Sequence, residues 1–92
     1  MQNAERVRQR VRFSGRVQGV GFRMTTLSQA KGLDVHGFVR NEADGSVLLD
    51  VEGPQEAVNE LLGRIQRAMH DNIEDTQIDH REPKGQNGFH IA

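Results

Sequence analysis

Hydrophobic and charged residues alternate from Arg6 to Ser14, which predicts a strand with one buried and one solvated face. Val7, Val11 and Phe13 share one parity, and four arginines share the other. The formal net charge is only −1. We therefore expect the arginine row to be the polar face of a sheet and not a nucleic-acid footprint.

Helical spacing then appears twice. Phe22, Thr26 and Ala30 recur every four residues, which predicts a helix over Phe22–Lys31 with Gly32 as its C-cap. A second helix is predicted to begin at the Gly-Pro pair that follows the third strand, because proline suits the first helical position. Its apolar stripe consists of Ala57, Val58, Leu61, Leu62, Ile65 and Ala68 or Met69.

The remaining apolar runs predict four more strands, which are Val35–Asn41, Ser46–Glu52, a weaker Ile73–Arg81 and a short Phe89–Ile91. The order is β-α-β-β-α-β with a short last strand, typical of an α+β ferredoxin-like sandwich. That plan packs two helices on one face of an antiparallel sheet and leaves the other face exposed. Its first strand lies beside its third, so the arginines would face Asp50 and Glu52 in modestly stabilising pairs.

Length and composition narrow the class of protein. The 92 residues suit one small domain spanning residues 1–92, and the chain has no cysteine. No apolar run reaches the length of a membrane span, and the four histidines are scattered without metal-ligand spacing. We expect a cytoplasmic monomer with no cofactor, no metal, no nucleic-acid partner and no membrane association.

A glycine-rich segment, Gly15–Arg23, lies between the first strand and the first helix. Glycine lets successive amides turn toward one point, and the start of a helix adds unpaired N–H groups there. Arg23 adds a forked cation suited to phosphate oxygens. The segment predicts a phosphate cradle, although glycine spacing alone is equally typical of a turn that binds nothing.

Two motifs together closely resemble the acylphosphatase family. The first, Gly-x-Val-Gln-Gly-Val-x-Phe-Arg, is intact as Gly15–Arg23. The resemblance covers essentially the whole chain, and two long motifs in the right order are highly specific. The second motif is filled by Gly37, Phe38, Val39, Arg40, Asn41, Gly45, Val47 and Gly53.

The resemblance implies hydrolysis of the carboxyl–phosphate bond of an acyl phosphate, with inorganic phosphate as a product. It implies that Arg23 binds the phosphoryl oxygens and that Asn41 orients the attacking water. From the strand alone, a turn-capping role for Asn41 is the simpler interpretation. The carboxylate leaving group needs no proton, so positioning and electrostatics suffice. The amides implied to join Arg23 are those of Arg16, Val17, Gln18, Gly19 and Val20.

Two alternatives stay open. A non-catalytic ferredoxin-like module could bind RNA or a small anion, but an RNA-binding sheet wants exposed aromatic residues, and Phe13 is predicted to face the core. The domain also resembles the module at the front of a hydrogenase-maturation carbamoyltransferase. A chain of this length favours the small independent enzyme.

Overall fold

Five strands and two helices make up most of residues 5–92, the part of the chain that the computed structural model describes. They are β1 (Arg6–Gly15), α1 (Phe22–Gln29), β2 (His36–Asn41), β3 (Val47–Pro54), α2 (Gln55–Ala68), β4 (Ile73–Arg81) and β5 (Phe89–Ile91). The order of elements confirms the predicted ferredoxin-like α+β plan. Residues 1–4 of the predicted domain lie outside the described residues.

The strands form one sheet in the order β4-β1-β3-β2-β5. As predicted, β1 lies beside β3, and Arg10 is opposite Asp50 in the antiparallel register. The prediction of a wholly antiparallel sheet is corrected at one edge, where β5 runs parallel to β2 and Ile91 is opposite Val39. The segment after β4 crosses to the opposite edge at the end of the sheet where β4 finishes, so β5 runs back antiparallel to β4. Because β2 is also antiparallel to β4, β5 and β2 are parallel.

The core lies between the sheet and the two helices. The alternating β1 residues Val11 and Phe13 have no exposed area, and the Phe13 ring packs on Phe22 of α1 at 5.1 Å between centroids. From α2, the predicted stripe contributes Val58, Leu61, Ile65 and Met69 to the same core. This packing fixes the start of α1 against the end of β1.

Both helices are displaced slightly from their predicted bounds. α1 ends at Gln29 with Ala30 as the C-cap, because the Lys31 amide donates to Ser28 and tightens the last turn. Gly32 takes a positive φ of 82° just beyond that turn. Pro54 still belongs to β3 and is the N-cap of α2, not its first residue.

We expected the sheet face opposite the helices to be exposed, but the structure buries its two acidic side chains, Asp50 and Glu52. Asp50 of β3 has no exposed side-chain area and accepts both arms of the Arg8 fork at 2.9 and 2.8 Å. Arg10 and Gln86 donate to the same carboxylate at 2.8 and 2.9 Å. Burial raises the pKa of Asp50, but these hydrogen bonds outweigh burial and hold the pKa well below its ordinary value.

Glu52 is equally buried, and residues 82–88 cover it. Burial raises the pKa of Glu52, yet hydrogen bonds from this segment lower it overall. The donors are the backbone amides of Gly85, Lys84 and Gln86, at 2.8, 3.2 and 3.3 Å. Asp50 and Glu52 with the groups that donate to them therefore form a buried ionic layer on the polar face, and these charge pairs are more than modest surface contacts.

Candidate active site

Residues 16–21, here the cradle loop, connect β1 to α1 and are anchored at their base. The Arg16 amide donates to the Asn72 carbonyl at 2.9 Å, and the Asn72 side chain donates back to the Arg16 carbonyl at 3.1 Å. The Val17 side chain is 1% exposed and belongs to the core. The Arg16 amide is thus already engaged, whereas it had been expected to face a phosphate.

The rest of the cradle loop has free donors. Gly19 has a φ of 77°, which an L side chain rarely adopts, and this turns the loop back toward α1. Within residues 5–92, the amides of residues 17–20 have no hydrogen-bond acceptor. Gly21, also left-handed, is the N-cap of α1, so the unpaired amides of the first helical turn follow directly.

Gln18 ties the cradle loop to the turn between β2 and β3. Its side-chain amide donates to the carbonyl oxygens of Glu42 and Ser46, at 2.8 and 2.9 Å. Asn41 is the residue just before Glu42 and ends β2. The side chain of Gln18 therefore sets the distance between the loop and Asn41. The sequence had indicated only its backbone amide, and the side-chain contact has no local sequence signal.

The turn that follows Asn41 is itself rigid. Gly45 has a positive φ of 93°. Asp44 accepts from the Ser46 hydroxyl at 2.6 Å and from the Ser46 amide at 2.9 Å. These two hydrogen bonds hold the pKa of Asp44 below its ordinary value. Asn41 is thereby presented at a fixed strand end with an exposed side chain.

A cavity of about 200 Å³ is lined by four of the residues singled out from the sequence, Val17, Gly19, Arg23 and Asn41, but not by Arg16, Gln18 or Val20. Arg23 lies in the first turn of α1, and among residues 5–92 its guanidinium has no acidic or hydrogen-bonding partner. Asn41 lines the same cavity across from the cradle loop, as does Ile91 of β5, which the sequence analysis did not place there. The lining consists of Val17, Gly19, Gly21, Phe22, Arg23, Met24, Asn41 and Ile91.

A second depression, of about 160 Å³, lies on the polar face of the sheet. Its arginines are engaged: Arg10 pairs with Asp50, and Arg81 donates to Asp79 at 3.1 Å. Arg12 donates to the Ser46 hydroxyl at 2.7 Å. An arriving anion would have to displace these partners, so the cavity at Arg23 is the stronger candidate.

Residues 5–92 contain no group of three or more histidine, cysteine, aspartate or glutamate side chains arranged to hold a metal ion. Within the same residues no helix is both long and apolar enough to span a bilayer.

The fold and the cavity define a ferredoxin-like domain with a cationic pocket at the start of its first helix. A model of the acylphosphatase family matches residues 9–91, and the chain belongs to that family. It is 40% identical over 89 residues to an acylphosphatase of Thermococcus kodakarensis, covering 96% of this chain and 98% of the relative. An acylphosphatase of Salinibacter ruber is 49% identical over 65 residues, 71% of this chain and 68% of the relative.

Solved structures show the same fold. The crystal structure of acylphosphatase from Bacillus subtilis superposes with a TM-score of 0.83 at 28% identity, covering 94% of this chain and 98% of that one. The family assignment made from the two sequence motifs is therefore confirmed.

Proposed function

We propose that the protein hydrolyses the carboxyl–phosphate bond of acyl phosphates to a carboxylate and inorganic phosphate. Its membership of the acylphosphatase family supports this reaction. The observation that carries it is the convergence of Arg23, the open amides of the cradle loop and Asn41 on one cavity. The depression on the polar face differs in this respect, because Arg10, Arg12 and Arg81 there already have partners.

In this proposal Arg23 and the amides of residues 17–20 hold the phosphoryl oxygens. An arginine without a counter-ion keeps its donors for the ligand, and its fork matches two phosphate oxygens. The amides of the loop and of the first turn of α1 add a positive dipole end. The hydrogen bonds from these donors become stronger as negative charge develops on the phosphoryl group. They therefore stabilise the transition state more than the bound substrate, and this difference accelerates the reaction.

Asn41 is proposed to orient the attacking water. The water oxygen forms a bond to phosphorus as the bond from phosphorus to the carboxylate oxygen breaks, and the carboxylate leaves with the electron pair. One hydrogen of the water stays on the new P–O oxygen, and the other passes to a phosphate oxygen or to bulk water. Since the leaving group is a weak base, no general acid is required, and alignment supplies much of the rate. No cofactor has a part in this scheme, and one chain supplies the whole pocket, so we propose that the monomer is active.

The test is hydrolysis of an aromatic acyl phosphate in excess EDTA, with Arg23→Gln and the matched surface variant Arg67→Gln. Arg67 has the same chemistry but lies on α2 with 70% of its side chain exposed. Arg23→Gln is expected to lose about 10²–10³-fold in kcat, as for the loss of one transition-state donor, and to bind phosphate more weakly. Arg67→Gln is expected to keep both properties.

Asn41→Ala separates water positioning from anchoring. It is expected to lower kcat strongly while the inhibition constant of inorganic phosphate stays unchanged. A folded protein that hydrolyses no acyl phosphate contradicts the proposal, as does equal loss in the two arginine variants. Salt-dependent RNA binding is then the next measurement.

A further inference from the structure

Exposed apolar side chains border the cavity of the candidate active site. Within residues 5–92 three large hydrophobic side chains are exposed, Val20, Met24 and Ile78, at 38%, 63% and 49%. Met24 lines the cavity, and Val20 lies in the cradle loop between the lining residues Gly19 and Gly21. Exposed apolar groups gathered at a binding site indicate a contact with an apolar ligand group.

Burial decides which apolar side chains an incoming group can contact. Val17 and Phe22 also line the cavity, but they are only 1% and 2% exposed and are already packed in the core. Met24 and the half-buried Ile91 retain exposed surface. Methionine is also unbranched and adapts to ligands of different shape.

We infer that Met24, together with Ile91 of the same cavity lining and Val20 of the cradle loop, forms a subsite for the acyl group. The preferred substrates are then acyl phosphates with an alkyl chain of several carbons or an aromatic ring, ahead of acetyl or carbamoyl phosphate. This inference rests on the proposed function. In an in-line displacement the carboxylate leaves opposite the water, so the acyl group lies away from the oriented water and must contact another part of the rim.

The expected size of the preference follows from the area covered. An acyl chain that removes on the order of 50 Å² of apolar surface from water gains about 25 cal/mol per Å², which is roughly tenfold in kcat/KM. Since the contact is present in both the bound substrate and the transition state, the gain is expected mainly in KM and less in kcat.

The test compares acetyl, propionyl, butyryl and benzoyl phosphate with wild-type protein, Met24→Ser, Met24→Leu and Ile78→Ser. Ile78 is the matched control because it is an exposed apolar residue on the edge strand β4, and it does not line this cavity. Ratios of kcat/KM between variant and wild type are used, because they cancel the intrinsic reactivity of each acyl phosphate.

The wild type is expected to favour butyryl over acetyl phosphate, and Met24→Ser to reduce that preference by roughly 3–10-fold through KM. Met24→Leu is expected to restore it, and Ile78→Ser to leave it unchanged. The subsite is overturned if the wild-type kcat/KM does not depend on chain length, or if Met24→Ser lowers kcat/KM equally for all four acyl phosphates. Hydrolysis of acetyl phosphate would in either case still support the proposed function. Failure to hydrolyse any of the four overturns both.

Discussion

Asp50→Asn is the most direct test of the buried ionic layer on the polar face. The substitution keeps the size of the side chain and removes its charge. Arg8, whose side chain is only 11% exposed, then loses a bidentate partner, and Arg10 loses its contact at 2.8 Å. Both guanidinium groups remain where the fold places them.

The magnitude follows from these contacts. Removing one partner of a buried ion pair costs about 3–5 kcal/mol, and each hydrogen bond to a charged group contributes roughly 1.5–3 kcal/mol. Asparagine still offers one oxygen, and Arg10 is 30% exposed and can be partly rehydrated. We therefore expect a loss of about 3 kcal/mol in the free energy of unfolding, out of a total near 5–15 kcal/mol for a small domain.

The assay is urea unfolding near neutral pH, with Asp79→Asn as the matched control. Asp79 also pairs with an arginine, but its side chain is 71% exposed. The midpoint for Asp50→Asn is expected to fall by roughly 1–3 M, given the urea dependence of small proteins. The control is expected to change the free energy of unfolding by about 0.5 kcal/mol or less, as exposed pairs do.

The contribution of Asp50 to the free energy of unfolding depends on pH in a definite direction. The folded pKa of Asp50 is depressed below the ordinary value of about 3.9, so its carboxylate stabilises the fold fully above that pH and loses this effect as the pH falls toward the folded pKa. Below about pH 4 the gap between wild type and Asp50→Asn should narrow by up to roughly 1.4 kcal/mol per pH unit. The reasoning is refuted if wild type and Asp50→Asn have equal free energies of unfolding, or if the difference between them increases in acid.

Two further substitutions test contacts at and behind the site. Gln18→Ala removes both hydrogen bonds between the cradle loop and the turn after Asn41, and we expect kcat to fall about tenfold with phosphate inhibition kept; a kcat within about twofold of wild type counts against a positioning role. Thr26→Val should raise the free energy of unfolding by about 1 kcal/mol in urea titrations, because the buried Thr26 hydroxyl has no partner among residues 5–92. A destabilised Thr26→Val protein would show that the hydroxyl is satisfied after all.

Most of the fold could be predicted from the periodicity of hydrophobic residues along the chain. The alternation in β1 predicted both its buried side and the row of arginines opposite Asp50, since a strand exposes its two faces with a period of two. The stripe of α2 was equally clear. The ends of α1 and β3 were harder to predict, because single hydrogen bonds such as that from the Lys31 amide to the Ser28 carbonyl determine where an element ends.

Contacts between distant segments were not predictable in the same way. Nothing periodic in residues 84–86 indicates that their amides donate to Glu52, and nothing local to Ile91 places it in the lining of the cavity at Arg23. The two motifs indicated Arg23 and Asn41 as site residues but gave no reason for the glycine at position 37. The structure supplies one for Gly37, where a Cβ would overlap the backbone carbonyl oxygen of Asp50.

The position of β1 between β3 and β4 has a consequence for synthesis on the ribosome. β1 is made before both neighbours, and its register with β4 joins Arg8 to Arg81, near opposite ends of the sequence. Pairings of this range slow folding, because the chain must close large loops before they form. β1 therefore cannot complete its pairing until residues 73–81 have been made, and a row of charged side chains is a pattern that disfavours pairing of an open strand edge with other chains.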